Sequence, residues 1–306
     1  MLTKMTGKQR LKSLVWWARH LLGRAARLVA GSRPRFLLIT PALFRTQLIY
    51  DAMQKRILRL GIRDYVDHLV VCQIFVNEDY GLGKLSRAAE LHDIYKSIVR
   101  CGKTPLIIDC GANCGMAIRY FTETFREALV VAVEPEPANM ALARSNNASG
   151  NVAYQLAGIG SSDTRANIRD PGQGNWAYQV EEDAGGDVSI ISINSLLKTY
   201  DPARYAPFMV KIDIEGFEAN LFEKNTEWID RFPLLIIELH DWMLPGQASS
   251  RNFLQEISRR RRDFVFHGEN VFSIANGPTA ASTHDAGTSA GGRRLSVVRA
   301  GQKPFD

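Results

Sequence analysis

The sequence predicts an α/β fold built on a mostly parallel β-sheet with an antiparallel edge. Three observations point to it. The run Leu106-Ile107-Ile108-Asp109 is apolar until its last residue, Gly111 and Gly115 then punctuate a turn, and a helix-compatible segment follows from Met116 to Phe125. Val130 to Val133 repeats the pattern of a buried strand closed by an acid, here Glu134-Pro135. Strand and helix patterns then alternate as far as Leu239, and Phe264–His267 with Val271–Ala275 read as a closing hairpin around Gly268-Glu269-Asn270.

Taken in order, Lys8 to Ala30 reads as an amphipathic helix. Leu11, Leu14, Val15, Ala18, Leu22, Ala25 and Val29 fall on one stripe flanked by Trp16 and Trp17, with Lys12, Arg19, Arg24 and Arg27 on much of the rest. Such a helix suits an anionic membrane surface, a transit peptide, or a helix packed on its own domain with a solvated basic face. Gly31-Ser32-Arg33-Pro34 breaks it. A second helix is expected from Ala42 to Leu60, a strand from Tyr65 to Val76, and a helix from Asp93 to Arg100. After the second core strand, Pro137–Asn146 supplies the helix leading to a third strand, Val152–Ile159. Ser161 to Asp187 is a polar, Gly-rich excursion holding Trp176 and Tyr178, long enough to be a functional loop that shapes an acceptor pocket. Strand four is Phe208–Ile214 and strand five Leu234–Leu239. Beyond Asn276 the chain is rich in Gly, Ala, Ser and Thr, and a disordered tail is expected over 276–306.

The net charge of +6 is unevenly placed. Residues 1–50 hold ten Lys and Arg and no acid, so the remainder carries 28 basic against 32 acidic residues. The basicity belongs to an arm, 1–62, read as a helical extension ahead of a catalytic body at 63–275. Cys72, Cys101, Cys110 and Cys114 have neither a CxxC pair nor zinc-type His spacing and fit small packing residues in a reducing compartment. No apolar run is long enough to span a membrane. A cytoplasmic protein is expected, touching the inner membrane face at most through residues 8–30.

The glycine spacing is Asp-x-Gly-x-x-x-Gly, which is neither the three-glycine dinucleotide fingerprint nor a P-loop. Fewer glycines and an acid just before the loop suit a ligand with a positive head and no phosphates. S-adenosylmethionine fits: its charged end lies near Asp109, the loop Gly111, Ala112, Asn113 and Gly115 approaches it, and Glu134 accepts from the ribose hydroxyls. Pro135 and Gly158 complete the expected cofactor set. The plainer alternative is that Asp109 and Glu134 are strand-end acids around an ordinary turn.

A second charged run follows in Val210-Lys211-Ile212-Asp213-Ile214-Glu215-Gly216-Phe217-Glu218. Alternation points Lys211, Asp213 and Glu215 to one side of an otherwise apolar strand, which is costly unless they serve a site or pair with one another. Strand five ends likewise in Glu238-Leu239-His240-Asp241.

Together with Asp109–Gly115, Glu134-Pro135 and the lead-in Gln73–Tyr80, these runs resemble the FkbM-type methyltransferases over about Val66 to Ala275. The resemblance implies a Rossmann-like class I methyltransferase fold, with a mostly parallel seven-stranded sheet and helices on both faces. It also implies O-methylation with S-adenosylmethionine of a saccharide, glycolipid or similar polyhydroxylated acceptor. Cys114 stands where the family often has a small or β-branched residue.

For such a reaction His240 is the expected general base, Glu215 the second candidate, and Asp213 a positioning residue. No metal is expected, although Asp213, Glu238 and His240 together would suit a divalent ion. Two other classes compete. One is a cofactor-binding protein that lost the chemistry. The other is a nucleic-acid methyltransferase using Arg259-Arg260-Arg261-Arg262, disfavoured because the run has no interleaved aromatics and the body is net acidic.

Overall fold

The computed structural model describes residues 7–29, 34–148, 150–169, 179–182 and 185–277. Helix α1 (Gly7–Val29) precedes β1 (Phe36–Leu38), β2 (Thr46–Asp51), β3 (Arg56–Gly61), α2 (Tyr65–Val71) and α3 (Ala88–Arg100). The alternation proper then begins with β4 (Thr104–Cys110), α4 (Met116–Thr124), β5 (Leu129–Glu134), α5 (Pro137–Asn146) and β6 (Val152–Leu156). Next come β7 (Gly158–Gly160), β8 (Thr164–Arg169), β9 (Gln179–Glu182), β10 (Val188–Ser192) and α6 (Ile193–Lys198). Last are β11 (Tyr205–Ile212), α7 (Glu218–Leu221), β12 (Leu234–Glu238), α8 (Arg251–Ser258), β13 (Arg262–His267) and β14 (Asn270–Ala275).

Seven strands form the main sheet in the order β6-β5-β4-β11-β12-β14-β13. The first five of that order run parallel, while β14 is antiparallel to β12 and β13 to β14. Strand β4 sits between β5 and β11, with Asp109 opposite Ala132 on one side and Lys211 on the other. Chain order therefore runs outward in opposite directions from the β4–β11 line. At such a switch point the loops leaving the carboxyl ends diverge and open a crevice.

Both faces of the sheet are covered, which is why its central strands read as continuous apolar runs. Ile107, Val130, Met209 and Ile236 pack on one face against Phe75, Tyr95, Ile118 and Phe121, residues of the turn after α2 and of α3 and α4. Ile108, Val131, Val210 and Ile237 pack on the other against Leu196, Trp228, Phe253 and Ile257.

Two expected elements are replaced. Ala42–Leu60 is no helix: β2 and β3 pair antiparallel, with β1 added on the edge. Along β2 the inward positions are Gln47, Ile49 and Asp51, two of them polar, so the period-2 alternation is invisible to hydropathy. Gln47 is satisfied by the carbonyls of Pro41 and Phe44 and by His68, and Asp51 by Arg35. Phe36, Leu38, Ile49 and Leu58 belong to the same core as Ile107 and Phe121, so 36–61 is continuous with the catalytic body rather than a helical extension. Tyr65–Val76, expected as a strand, is α2 followed by a π-helical turn at Cys72–Val76. Asp64 caps α2 by accepting from the Val66 and Asp67 amides, and this cap overrides the β-branched composition.

Strand three divides. Val152–Leu156 joins the main sheet, whereas Gly158–Gly160 pairs with β10 in a separate four-stranded sheet of order β7-β10-β8-β9. The Ser161–Asp187 excursion thus contributes β8 and β9. Trp176, Tyr178 and the tail past residue 277 lie outside the described residues.

Candidate active site

The carboxyl ends of β4, β5 and β11 meet at the crevice. After β4 the chain bends sharply at Gly111 (φ +79°), whose amide, with that of Ala112, donates to the Val133 carbonyl. A Cβ at Gly111 would stand 1.8 Å from the Asp213 carbonyl oxygen, so two strand-end loops touch here because one residue has no side chain. Gly115 (φ +81°) serves a different contact: a Cβ there would collide with Ala143 and Asn147, letting the start of α4 press on α5.

Glu134, at the tip of β5, is 5% exposed and faces this loop. Its Oε2 accepts from the Asn113 amide (2.8 Å), and its Oε1 accepts from the Glu136 amide and from Asn139 Nδ2, both at 3.1 Å. Burial pushes its carboxyl pKa up, against the pull of these donors. Behind it, Arg63 binds Asp67 and reaches the side-chain oxygens of Asn113 and Asn139, bracing two of the three residues that donate to Glu134. Neither Asn139 nor Arg63 was expected from the residues alone. The one local signal is Glu136 capping α5 by accepting from the Asn139 amide.

A narrow cleft runs past Glu134, lined by Gly111, Asn113, Pro135, Gly158, Ile159, Ile214 and Phe217. It shares the lining residues Gly111, Asn113, Asp213 and Glu215 with a wider cleft of about 360 Å³. Ala112 lines only the wider one, together with Asp79, Lys211, Glu238, His240 and Glu269. Of the expected cofactor residues, Gly111, Asn113, Glu134, Pro135 and Gly158 border the narrow cleft, Ala112 the wide one, and Gly115 neither.

Asp109 also lines neither. It is wholly buried, and Lys211 Nζ stands 3.2 Å from its Oδ1 while donating to the Gly111 carbonyl at 2.8 Å. Burial opposes the Lys211 ammonium, but Asp109 and Asp213 outweigh it and hold its pKa well above the ordinary value. Asp109 anchors the loop from beneath, through a cation of its own chain, and does not present its charge to a ligand.

Lys211, Asp213 and Glu215 do converge, though not by strand alternation. Strand β11 stops at Ile212, and Glu215 (φ +55°) with Gly216 (φ +97°) makes a left-handed bend. A non-glycine residue held there costs on the order of 1–3 kcal/mol and is a mark of functional sites. The bend returns the Glu215 carboxylate towards His240, with Oε2 3.7 Å from Nε2.

His240 is 2% exposed and ringed by carboxylates. Its Nδ1 meets Glu218 Oε1 at 2.8 Å, and its Nε2 faces Asp213 at 3.5 Å and Glu238 at 3.6 Å as well as Glu215. Burial disfavours the charged ring, yet Asp213 and Glu218 outweigh it and raise the pKa to about 11. The neutral imidazole expected as general base is therefore replaced at neutral pH by an imidazolium. Burial, then the negative Asp213, raises Glu215 to about 8, and Glu238 likewise to about 8. Asp213 goes the other way, held well below the carboxylate range by Lys211 and His240 despite its burial. The environment thus separates one permanently ionised acid from two that titrate near neutrality, the pattern that distinguishes a positioning group from a base. Glu218, wholly buried beneath His240, lies in a run the sequence singles out, but its inward direction is visible only in three dimensions.

Asp213, Glu238 and His240 also offer ligand atoms that all lie within 4.8 Å of one another, a set able to hold a divalent ion. The arginine run, by contrast, is largely spent on the protein itself. Arg260 binds Glu256, Asp230 and Thr226, Arg259 pairs with Glu256, and buried Arg262 donates to Ser273 and the carbonyls of Ile229, Phe232 and Pro233. All four cysteines are free thiols, and no helix among the described residues is long and apolar enough to cross a membrane.

Comparison with known proteins adds the following. Residues 109–266, over half of the chain, match the methyltransferase FkbM domain. No curated protein matches. Among solved structures, the chain is similar to a methyltransferase from Geobacter sulfurreducens at 15% identity, covering 68% of this chain and 93% of that one, with a TM-score of 0.31. It is also similar to the O-methyltransferase from Bacillus cereus in complex with SAH, at 13% identity over 68% of this chain and 90% of that one, with a TM-score of 0.37. The matched segment begins at Asp109, under the glycine loop, and ends in β13, so it takes in every strand end of the crevice. The chain belongs to the FkbM methyltransferase family.

Proposed function

We propose that this methyltransferase binds S-adenosylmethionine in the narrow cleft and moves its methyl group to a hydroxyl of a saccharide or similar polyhydroxylated acceptor in the wide one. The observation that carries the reading is Glu134 facing the Gly111–Asn113 loop, with an acid-rimmed cleft adjoining it at Asp213 and Glu215. Apolar walls at Val133, Ile159, Ile214 and Phe217 suit a purine, and the Glu134 carboxylate suits ribose hydroxyls. When bound, the cofactor supplies a methyl group already activated by the positive charge on sulfur. Asp213, which stays ionised and borders both clefts, provides a negative charge that favours such a cation.

The remaining work is positioning, exclusion of water and proton removal. Glu215 is the base in this reading: it borders both clefts, and with a pKa of about 8 its ionised form takes a hydroxyl proton as the pH rises above neutral. Asp213 and Lys211 hold the loops, and the His240 imidazolium with Glu218 keeps the carboxylates from repelling one another apart.

The test is incubation with isotopically labelled S-adenosylmethionine and a pool of saccharides and glycolipids, read by mass spectrometry. Alkali-stable label on a sugar hydroxyl is the expected result. Label on nitrogen, carboxylate or nucleic acid, or S-adenosylhomocysteine binding that survives Glu134→Ala undiminished, would overturn the reading.

A further inference from the structure

Helix α1 packs on its own protein with the side opposite to its apolar stripe. Ser13, Trp17, His20 and Leu21, at spacings of one helix face, turn inward; Ser13 is 2% exposed, and Trp16 meets the His68 ring of α2 edge-on at 6.0 Å. Leu11, Leu14, Val15, Ala18 and Leu22 face out, with Leu11 64% and Leu22 71% exposed. Exposed Lys12 and Arg19 lie along the edge of that stripe. An amphipathic helix that docks to its own domain hides its apolar side, and this one displays it.

Charge says what covers it. Residues 1–33, ahead of the strands that join the body, contain eight Lys and Arg and no acid, while the rest of the chain holds 30 basic against 32 acidic residues. Charge divided this way attracts one end to an anionic surface and turns the body away from it. The place on the fold adds a direction. Helix α2, against which Trp16 lies, lines the wide cleft with Val66, Leu69 and Val70, and the exposed side chains of Leu69 and Trp242 stand at that cleft.

We propose that α1 seats the protein on an anionic lipid bilayer, its outward stripe in the headgroup–acyl boundary, so that the wide cleft takes its acceptor from the membrane surface. The identity of the acceptor as a lipid-borne saccharide rests on the function proposed above; the lipid contact itself does not.

The experiment is sedimentation of the full chain with vesicles of phosphatidylcholine alone or mixed equally with phosphatidylglycerol, without cofactor or acceptor. Binding to the anionic vesicles is expected to be at least about tenfold tighter and to weaken with added salt. The double substitution Leu14→Asp/Val15→Asp should abolish it while leaving the thermal midpoint and S-adenosylhomocysteine binding unchanged, and Leu11→Asp/Leu22→Asp serves if the first pair disturbs folding. Equal binding to both vesicles, or binding indifferent to both pairs, would overturn the proposal. So would a dimer in light scattering that the same substitutions dissociate, since the stripe would then cover a second copy. Failure here with saccharide methylation intact would remove only the lipid contact; vesicle binding without methylation would remove only the reaction.

Discussion

The Lys211 ammonium stands 3.2 Å from a carboxylate oxygen of Asp109, and neither side chain is more than 3% exposed. A pair enclosed this completely stabilises little compared with an apolar pair of the same shape, but removing one member leaves a buried charge alone. Lys211→Met should therefore cost about 3–5 kcal/mol. Adding Asp109→Asn should recover much of that loss. Urea denaturation of both single variants and the double variant measures the coupling, and purely additive losses would contradict the pairing.

Stability should fall towards alkaline pH. Glu215 and Glu238 are raised from 4.5 to about 8, and His240 from 6.5 to about 11. Each group holds a proton in the folded state where the unfolded chain has released it. Their contribution is complete below 4.5 for the two carboxyls and below 6.5 for the imidazole, and is lost as pH rises through the folded values. Asp213 has the opposite sign: its folded value is depressed, so its contribution is present above 3.8 and is lost only in acid. Urea midpoints should thus decline from mildly acidic to alkaline conditions, and a rise over that range would refute the assignment.

Gly111→Ala should abolish cofactor binding. The new methyl would meet the Asp213 carbonyl at 1.8 Å on a residue already at positive φ, so the two loops must part. The backbone term alone is on the order of 1–3 kcal/mol. Calorimetry with S-adenosylhomocysteine should show no heat and the thermal midpoint should drop. Unaltered binding would mean the loops do not touch as described.

Glu215→Gln should lower kcat by about 10²–10⁴-fold, the ordinary contribution of a general base, with S-adenosylhomocysteine affinity nearly kept. For the unaltered protein kcat/KM should climb with pH to a plateau above about 8, where Glu215 is ionised. A rate defect at Glu238→Gln with none at Glu215→Gln would move the base to β12.

Chelation should leave turnover intact at neutral pH. The proton on His240 Nε2 faces Asp213, Glu215 and Glu238 within 3.7 Å, and a divalent ion bound by this set would have to displace it. Any Mn²⁺ binding seen by calorimetry should accordingly strengthen as pH rises. Activity lost to a chelator and restored by Mn²⁺ would make Asp213, Glu238 and His240 metal ligands instead.

The parts legible in a single sequence were those in which neighbours along the chain share one environment. Strands β4, β5, β11 and β12 are buried on both faces, so they had to be apolar runs, and the charges that end them mark the sheet edge where ligands bind. The hairpin of β13 and β14 announced itself by Gly268 between two strand-forming segments. Helix and strand were confused where polar side chains point inward. Gln47 and Asp51 are wholly buried in β2, and Asp67 and His68 nearly so in α2, each held by a partner distant in sequence or by a local cap that hydropathy does not register.

The residues alone were sufficient for the family, the sheet and the acids at its edge, because strand burial and glycine turns are local constraints with local signatures. They did not decide which acid meets a ligand and which is spent inside the protein. Asp109 stands at a strand tip like Glu134, yet one is sealed against Lys211 and the other borders a cleft, a difference made by which strand lies alongside. The His240 ring is held protonated because Asp213 and Glu218, distant in sequence, face its two nitrogens. A protonation state is the sum of every charge within a few ångströms, and only folding chooses those neighbours.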